Sequence, residues 1–205
     1  MRRLLLAAAM LLILVGSAGA TIVNETSFPG TDFSNTVGAP TDLGVTLGCS
    51  PFPACVPSPP GYTDQVNGAL FDLTSPVVLS DPTDVFSFTT GAIDGVILTL
   101  TGSANTATGT VDLYNPVGTL FASYSFSGQL TNFDLLSAWG LGTSGDLVAD
   151  VPGGSYAIGV NVTNWNTTNG TLAYTFNITA APEPGTYLLV GLGLAALALV
   201  RRRRV

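Results

Sequence analysis

Hydrophobic residues in the second half of the chain alternate with polar ones over several short stretches. A period of two is typical of β-strands, in which successive side chains point to opposite faces of a sheet. Gly, Asn or Pro bounds each stretch, as expected where strands end in turns. Before residue 130 the apolar positions are Val85, Phe86 and Phe88; Val96, Leu98 and Leu100; Val111 and Leu113; and Leu120, Tyr124 and Phe126.

The two clearest strands come last. One follows the turn Pro152-Gly153-Gly154 and the other follows Asn169-Gly170, so each begins at a turn signal. Because they are consecutive along the chain, we expect them to pair as neighbours. Their alternating residues are Tyr156, Ile158, Val160 and Val162 in the first, and Leu172, Tyr174, Phe176 and Ile178 in the second.

Six or more short strands, with turn signals about every ten residues, predict an all-β fold. The absence of a convincing amphipathic helix favours an antiparallel β-sandwich or jelly roll. We place the core of this sandwich at residues 81–180. Residues 21–80 are rich in Pro, Gly, Thr and Asn, so we expect loops and a few edge strands there.

The first twenty residues have the pattern of a secretory signal peptide. Two arginines precede an apolar run over residues 4–15, and small residues follow. Ala18 and Ala20 form an A-x-A site at which signal peptidase would cut. The apolar run is short for a membrane span, which favours cleavage over a retained anchor. Residues 1–20 therefore predict export.

The last 25 residues have the pattern of a stop-transfer segment. Pro182, Glu183 and Pro184 precede an apolar run that predicts a transmembrane helix over residues 185–200. That helix would be about 24 Å long, slightly less than a ~30 Å hydrocarbon core. The arginines that follow resist translocation, which leaves the rest of the chain across the membrane. They are Arg201, Arg202, Arg203 and Arg204.

Pro-Glu-Pro, an apolar helix and a terminal arginine cluster, in this order, resemble the PEP-CTERM sorting signal of Gram-negative bacteria. The resemblance covers residues 181–205. It implies that the membrane enzyme exosortase recognises Pro182, Glu183 and Pro184 and cuts nearby. It also implies an inner-membrane precursor with its ectodomain in the periplasm, later moved to the cell surface or released, and an association with exopolysaccharide.

The ectodomain resembles the bacterial pre-peptidase C-terminal domain. This resemblance implies a β-sandwich without catalysis of its own and a role in adhesion or targeting. It is carried by the segments DVFSF (84–88), GVILTL (95–100), VDLY (111–114), GGSYAIGV (153–160) and YTF (174–176).

Charge is segregated along the chain. All six basic residues are arginines in the terminal segments 1–20 and 181–205, and the chain has no lysine or histidine. Residues 21–180 carry twelve carboxylates and no positive side chain. Because a field of this sign repels phosphate backbones, we expect no nucleic-acid partner.

The two cysteines, Cys49 and Cys55, are separated by five residues in a domain predicted to be exported. In an oxidising compartment this spacing favours a disulfide. A redox or zinc role is disfavoured because the spacing is not C-x-x-C and no histidine is present.

The residue inventory argues against catalysis. Without His, Lys or Arg between residues 21 and 180, the domain lacks a catalytic triad, a Schiff-base lysine and a P-loop lysine. A carboxylate glycosidase would need two facing aspartates in a cleft, for which Asp112 with Asp134, or Asp146 with Asp150, are candidates. Their spacing does not distinguish them from loop aspartates, so we expect no enzyme and no cofactor.

Calcium remains the one metal that the donor set suits, because its ligands are carboxylates and carbonyls. Asp81, Asp84 and Asp112 lie near predicted strand ends and are the candidate ligands. Trp139 and Trp165, in Gly- and Asn-rich stretches, are either packed in the core or able to stack on sugars.

These observations predict an exported, non-enzymatic surface or matrix protein that is sorted by exosortase and accompanies exopolysaccharide. Signal peptidase and exosortase are the expected processing partners, and the membrane is contacted through residues 185–200. The alternative is an adhesion module that binds glycan, calcium or ice.

Overall fold

The structure is a computed structural model that describes residues 21–25, 32–47, 49–50, 56–57, 63–73, 79–146, 150–167 and 169–181. In these ranges the chain forms strands and one short helix. They are β1 (Ile22–Asn24), β2 (Thr41–Leu47), β3 (Cys49–Ser50), β4 (Val56–Pro57), β5 (Asp64–Leu73), β6 (Leu79–Asp81), β7 (Thr83–Thr90), β8 (Ile93–Thr101), β9 (Thr108–Tyr114), β10 (Leu120–Ser127), β11 (Leu130–Asp134), α1 (Leu135–Ala138), β12 (Gly154–Asn164) and β13 (Gly170–Ala180).

The long strands form two sheets. The first sheet has the order β1-β5-β13-β8-β11, and β6 also pairs with β5. The second sheet has the order β10-β9-β12-β7-β2. The predicted all-β sandwich is therefore confirmed. The sheets are mixed, because β1 pairs with β5 and β2 pairs with β7 in parallel, whereas the other pairs are antiparallel.

The core lies between the sheets and is built from the alternating residues of the facing strands. On β9, every second residue from Gly109 to Leu113 is buried. Phe86 of β7 crosses the layer and contacts both Tyr174 and Phe176 of β13, with ring centroids 6.4 and 5.7 Å apart. The side chains that alternate along these strands thus form one apolar layer between the sheets, where they are shielded from water.

The predicted pairing of the last two strands is wrong. β12 lies in the second sheet between β9 and β7, and β13 lies in the first sheet between β5 and β8. The chain between them crosses from one layer to the other, with Asn166 and Asn169 at φ of 53° and 57°. Alternation reports that one face of a strand is buried, and it does not report which strand lies alongside.

The N-terminal part contributes more than loops and edge strands. β5 is ten residues long and is hydrogen-bonded to β13 along one side. β1 and β6 share its other side, at opposite ends of the strand. Val66 and Leu70 of β5 are fully buried in the common core. Gly68 and Ala69 interrupt the apolar pattern of this strand, which explains why sequence reasoning underestimated it.

The helix α1 packs against the sandwich through its apolar side. Leu135 and Leu136 are fully buried, and Trp139, which follows the helix, is 9% exposed. The Trp139 Nε1–H donates to the carbonyl oxygen of Val111 on β9, at 3.1 Å. Because β11 leads into α1 and belongs to the other sheet, this bond connects the two layers.

Several predictions fall outside the described residues. They are the signal peptide with Ala18 and Ala20, Cys55 of the predicted disulfide, the motif Pro182 to Pro184, the helix 185–200 and the tail Arg201 to Arg204. Cys49 itself begins β3, which pairs with β4. In the described part of the chain, no helix has the length and apolarity needed to cross a membrane.

Candidate functional site

Four carboxylates from separate stretches of the chain meet in one place. Glu25 follows β1, Asp81 ends β6 and Asp84 lies in β7, while Asp32 comes from the segment before β2. One ligand oxygen of each residue lies within 4.8 Å of those of the others. We call these four residues the carboxylate cluster.

Backbone hydrogen bonds hold Glu25 in the cluster. Its Oε2 accepts from the backbone N–H of Ala69 on β5, at 2.8 Å, and its Oε1 accepts from that of Phe33, at 3.3 Å. The Phe33 side chain is 2% exposed and its ring packs 5.3 Å from that of Phe86. Phe33 therefore anchors the segment that carries Asp32 in the apolar core.

Asp81 and Asp84 are more deeply buried than Glu25, and three of their four carboxylate oxygens have no hydrogen-bond partner. Asp81 is 3% exposed; its Oδ1 accepts from the Asn35 amide at 3.0 Å in the amide orientation that fits the network, whereas Oδ2 has no partner. Asp84 is 0% exposed, and neither of its oxygens has a hydrogen-bond partner. The Tyr174 hydroxyl lies beside Asp84 but outside hydrogen-bonding geometry.

A glycine makes room for this arrangement. Gly68 on β5 is paired with Tyr174 on β13, and a side chain at residue 68 would overlap the tyrosine hydroxyl. The absence of a Cβ therefore allows the Tyr174 ring to lie along β5. This places its hydroxyl close enough for the charges of the cluster to influence its ionisation.

Burial and mutual repulsion favour protonated forms in the cluster. Burial raises the pKa of Glu25 to about 7, despite the hydrogen bond from Ala69 that lowers it. Burial and the neighbouring charge of Asp32 raise the pKa of Asp81 to about 7. Burial, with the charges of Glu25 and Asp81, raises the pKa of Asp84 to about 9. Bringing these carboxylates together therefore lowers the stability of the fold, unless a bound cation compensates for their negative charge.

The structure brings together two of the three residues that the sequence singled out for calcium. Asp81 and Asp84 are both in the carboxylate cluster. Asp112 lies on β9 and accepts hydrogen bonds from the hydroxyls of Ser123, Thr110 and Tyr114. Those bonds satisfy the carboxylate of Asp112 locally, so it is a structural acceptor away from the cluster.

Of the two aspartate pairs considered for acid–base chemistry, Asp112 and Asp134 are separated, whereas Asp146 and Asp150 lie close together. Asp134 accepts from the backbone N–H of Ser137 and from the backbone and hydroxyl of Ser144. Asp146 and Asp150 lie together with the buried Asp94 in a second acidic group, with ligand oxygens within 4.8 Å of one another. Asp112 and Asp134 thus make separate local networks.

Two surface depressions lie apart from the cluster. A groove of about 450 Å³ is bordered by Tyr114, Tyr156 and Ser155 on the second sheet. Another depression is bordered by Trp165 together with Asp72 and Asn164. Of the two tryptophans, Trp165 is only partly buried, whereas Trp139 belongs to the core. Of these two tryptophans, only Trp165 has a ring that a sugar could reach.

Sequence reasoning missed Glu25 and Asp32. Neither belongs to a metal-binding motif, and Glu25 is 56 positions before Asp81. The one local signal is that Asp32 directly precedes Phe33, whose ring enters the core. That signal becomes readable only when the chain path is known.

Beyond β13 the chain enters the segment with the distinctive C-terminal pattern. Residues 180–204 match the model of a family described as the PEP-CTERM protein-sorting motif. The chain carries a PEP-CTERM sorting signal. This signal implies an exported protein that is made as a membrane-anchored precursor, processed by exosortase and sorted to the surface. No curated protein matches the chain.

The PEP-CTERM signal begins where the sandwich ends. Ala180 is both the last residue of β13 and the first matched residue. Ala181 is 3% exposed, and its backbone N–H donates to the Ala92 carbonyl at 2.7 Å. The resemblance of the ectodomain to the pre-peptidase C-terminal domain stays a prediction.

Proposed function

We propose that this protein is a non-catalytic surface or matrix protein that exosortase releases from its membrane anchor near Pro182 to Pro184. The PEP-CTERM signal at residues 180–204 is the observation that carries the proposal. The absence of His, Lys and Arg from residues 21–180 supports a role without catalysis. The β-sandwich is then the part that reaches the surface.

The position of the signal supports processing close to the folded domain. Ala181 is still hydrogen-bonded to the sandwich, and Pro182 is the next residue. Two of the next three residues are prolines, and the sequence therefore predicts an extended peptide rather than a helix there. Exosortase would therefore act on a short extended peptide between the domain and the membrane.

The test is the intact mass of the protein from hosts with and without exosortase. We expect a C-terminus near Pro184 only when the enzyme is present, and an intact arginine tail without it. The variant Glu183→Ala should retain the tail in both hosts, whereas the control Pro116→Ala, in the turn between β9 and β10, should be processed normally. An intact tail in every sample would leave an ordinary single-pass anchor.

We further propose that the released sandwich contacts exopolysaccharide through Trp165. The partly buried Trp165 indole borders a depression beside the polar side chains of Asp72 and Asn164, and this supports the proposal, since such rings stack on sugars while polar neighbours bond their hydroxyls. Trp165→Ala should reduce co-sedimentation with the host's polysaccharide fraction, and Phe121→Ala, which removes an exposed aromatic ring elsewhere, should not. Equal binding by both variants would remove Trp165 from the contact.

A further inference from the structure

The carboxylate cluster has no cationic side chain with which to pair. Every basic residue lies in the terminal segments, and the only charged side chains in residues 21–180 are carboxylates. Four carboxylates within 4.8 Å of one another repel strongly when they are shielded from water. Either bound protons or a bound cation must offset that repulsion.

Asp84 gives a second observation, independent of the number of charges. Its side chain is 0% exposed, and both of its oxygens lack a hydrogen-bond partner, as does Oδ2 of Asp81. Buried polar atoms in folded proteins are nearly always satisfied. Three buried oxygens of the cluster thus have no hydrogen-bond partner. We take this as a sign that the cluster binds a ligand through its carboxylate oxygens, and a metal ion is such a ligand.

The donor set selects the kind of ion. All side-chain donors are carboxylate oxygens, and the chain has no histidine to favour zinc or copper. Ca²⁺ accepts six to eight oxygens in a flexible geometry, whereas Mg²⁺ requires a near-ideal octahedron and keeps several waters. Four carboxylates from separate chain segments suit the more tolerant ion.

We propose that the carboxylate cluster binds one Ca²⁺ ion, which fastens the segment between β1 and β2 to β6 and β7. Glu25 is already bonded to β5 through Ala69, so the ion would join strands of both sheets. Binding of the ion would then hold both Glu25 and the neighbouring Phe33 segment against the core. The site is independent of the PEP-CTERM signal, so its test does not depend on sorting.

We expect an affinity like that of other extracellular calcium sites. Extracellular calcium modules have a Kd of about 10⁻⁴ to 10⁻³ M. A site of this strength would be empty before export and filled after it. Calcium would thus complete the N-terminal part of the sandwich only once the protein is outside.

The first experiment is thermal unfolding of the full chain, purified in detergent and freed of metal with chelator. We expect about 10 mM CaCl₂ to raise the unfolding midpoint by about 3 to 10 °C, as the affinity predicts. The same concentration of MgCl₂, or NaCl of equal ionic strength, should give a smaller shift. Equal shifts with all three salts would overturn the proposal.

Two variants separate ion binding from structural support. Asp84→Asn should lose the calcium-dependent shift, and without metal it should be about as stable as the natural chain, because the isosteric amide brings no charge into the cluster. Asp112→Asn is the matched control, since it removes a carboxylate outside the cluster and should keep the full calcium shift. A calcium shift that survives in Asp84→Asn would contradict the site.

A spectroscopic measurement detects ion binding directly, without relying on a change in stability. Tb³⁺ replaces Ca²⁺ at oxygen sites and luminesces when a nearby aromatic ring transfers energy to it. Because Tyr174 lies beside Asp84, we expect luminescence that calcium displaces and that falls severalfold in Tyr174→Phe. Luminescence that CaCl₂ does not displace would place the ion elsewhere and refute the proposal.

Discussion

Gly109 is a residue that β9 requires to be glycine. It lies opposite Val162 of β12 and Phe126 of β10. A side chain there would overlap the backbone carbonyl of Asn161 and approach the Phe126 ring to 2.8 Å. Neither neighbour is free to move, because one is backbone in the middle of the sheet and the other is buried in the core.

We therefore expect Gly109→Ala to destabilise the domain by about 1 to 3 kcal/mol, as for overpacked core positions. Gly38→Ala is the matched control, because a Cβ at residue 38 would meet nothing within 4 Å and its φ is not in the left-handed region. Urea unfolding of both variants measures the difference. Equal stability of the two would show that β9 and β12 can separate enough to admit the methyl group.

Asn132 interrupts β11 in a way that strand propensity does not reveal. It has φ of 48°, and the register of β11 against β8 shifts between Leu130 and Phe133. We expect Asn132→Val to cost about 1 to 2 kcal/mol, although valine is the better strand residue, because left-handed backbone crowds its Cβ. Asn132→Gly should be nearly neutral, and chemical unfolding compares them. A valine variant as stable as the glycine variant would argue against the bulge.

At the scale of elements, Asp134 ends β11 and caps α1. Its carboxylate accepts from the backbone N–H of Ser137 at 3.2 Å and from the Ser144 hydroxyl at 2.6 Å. Burial alone would raise the pKa of Asp134, but the hydrogen bonds from Ser144 and the helix start outweigh it and lower the pKa below 3.8. The ionised form is thus favoured in the folded state.

Asp134→Ala should cost about 1 kcal/mol near neutral pH, the usual loss for a missing cap. Because folding lowers the pKa of Asp134, its contribution is complete above the unfolded value and is lost as pH falls through the folded one. The stability gap between Asp134→Ala and the natural chain should therefore narrow below about pH 3.8. Urea unfolding at several pH values measures it; a gap that widens on acidification would contradict this sign.

At the scale of the whole molecule, the exported part carries charge of one sign. Twelve carboxylates without any basic residue repel one another between residues 21 and 180. Screening by salt weakens this repulsion over a Debye length of about 10 Å at 0.1 M. In the presence of chelator, the unfolding midpoint should therefore rise with NaCl concentration. Choline chloride should act alike, and a midpoint that falls with both salts would contradict the expectation.

Local patterns predicted the parts of this protein whose information is local. Alternation identified the stretches that became β7 to β10, β12 and β13, since the period of two follows from strand geometry alone. The PEP-CTERM signal was also readable, because its three features are consecutive at the C-terminus. β5 was underestimated because Gly68 and Ala69 weaken its apolar pattern.

What the sequence by itself determined is therefore the all-β class, the segregation of charge and the sorting signal. The tertiary structure alone decided that β12 and β13 belong to different sheets, and that Glu25 joins Asp81 and Asp84. The physical reason is that a side chain's environment depends on which distant segments the sheets bring beside it. Periodicity specifies a buried face, whereas the neighbour across the core or along the edge is chosen by packing of the whole domain.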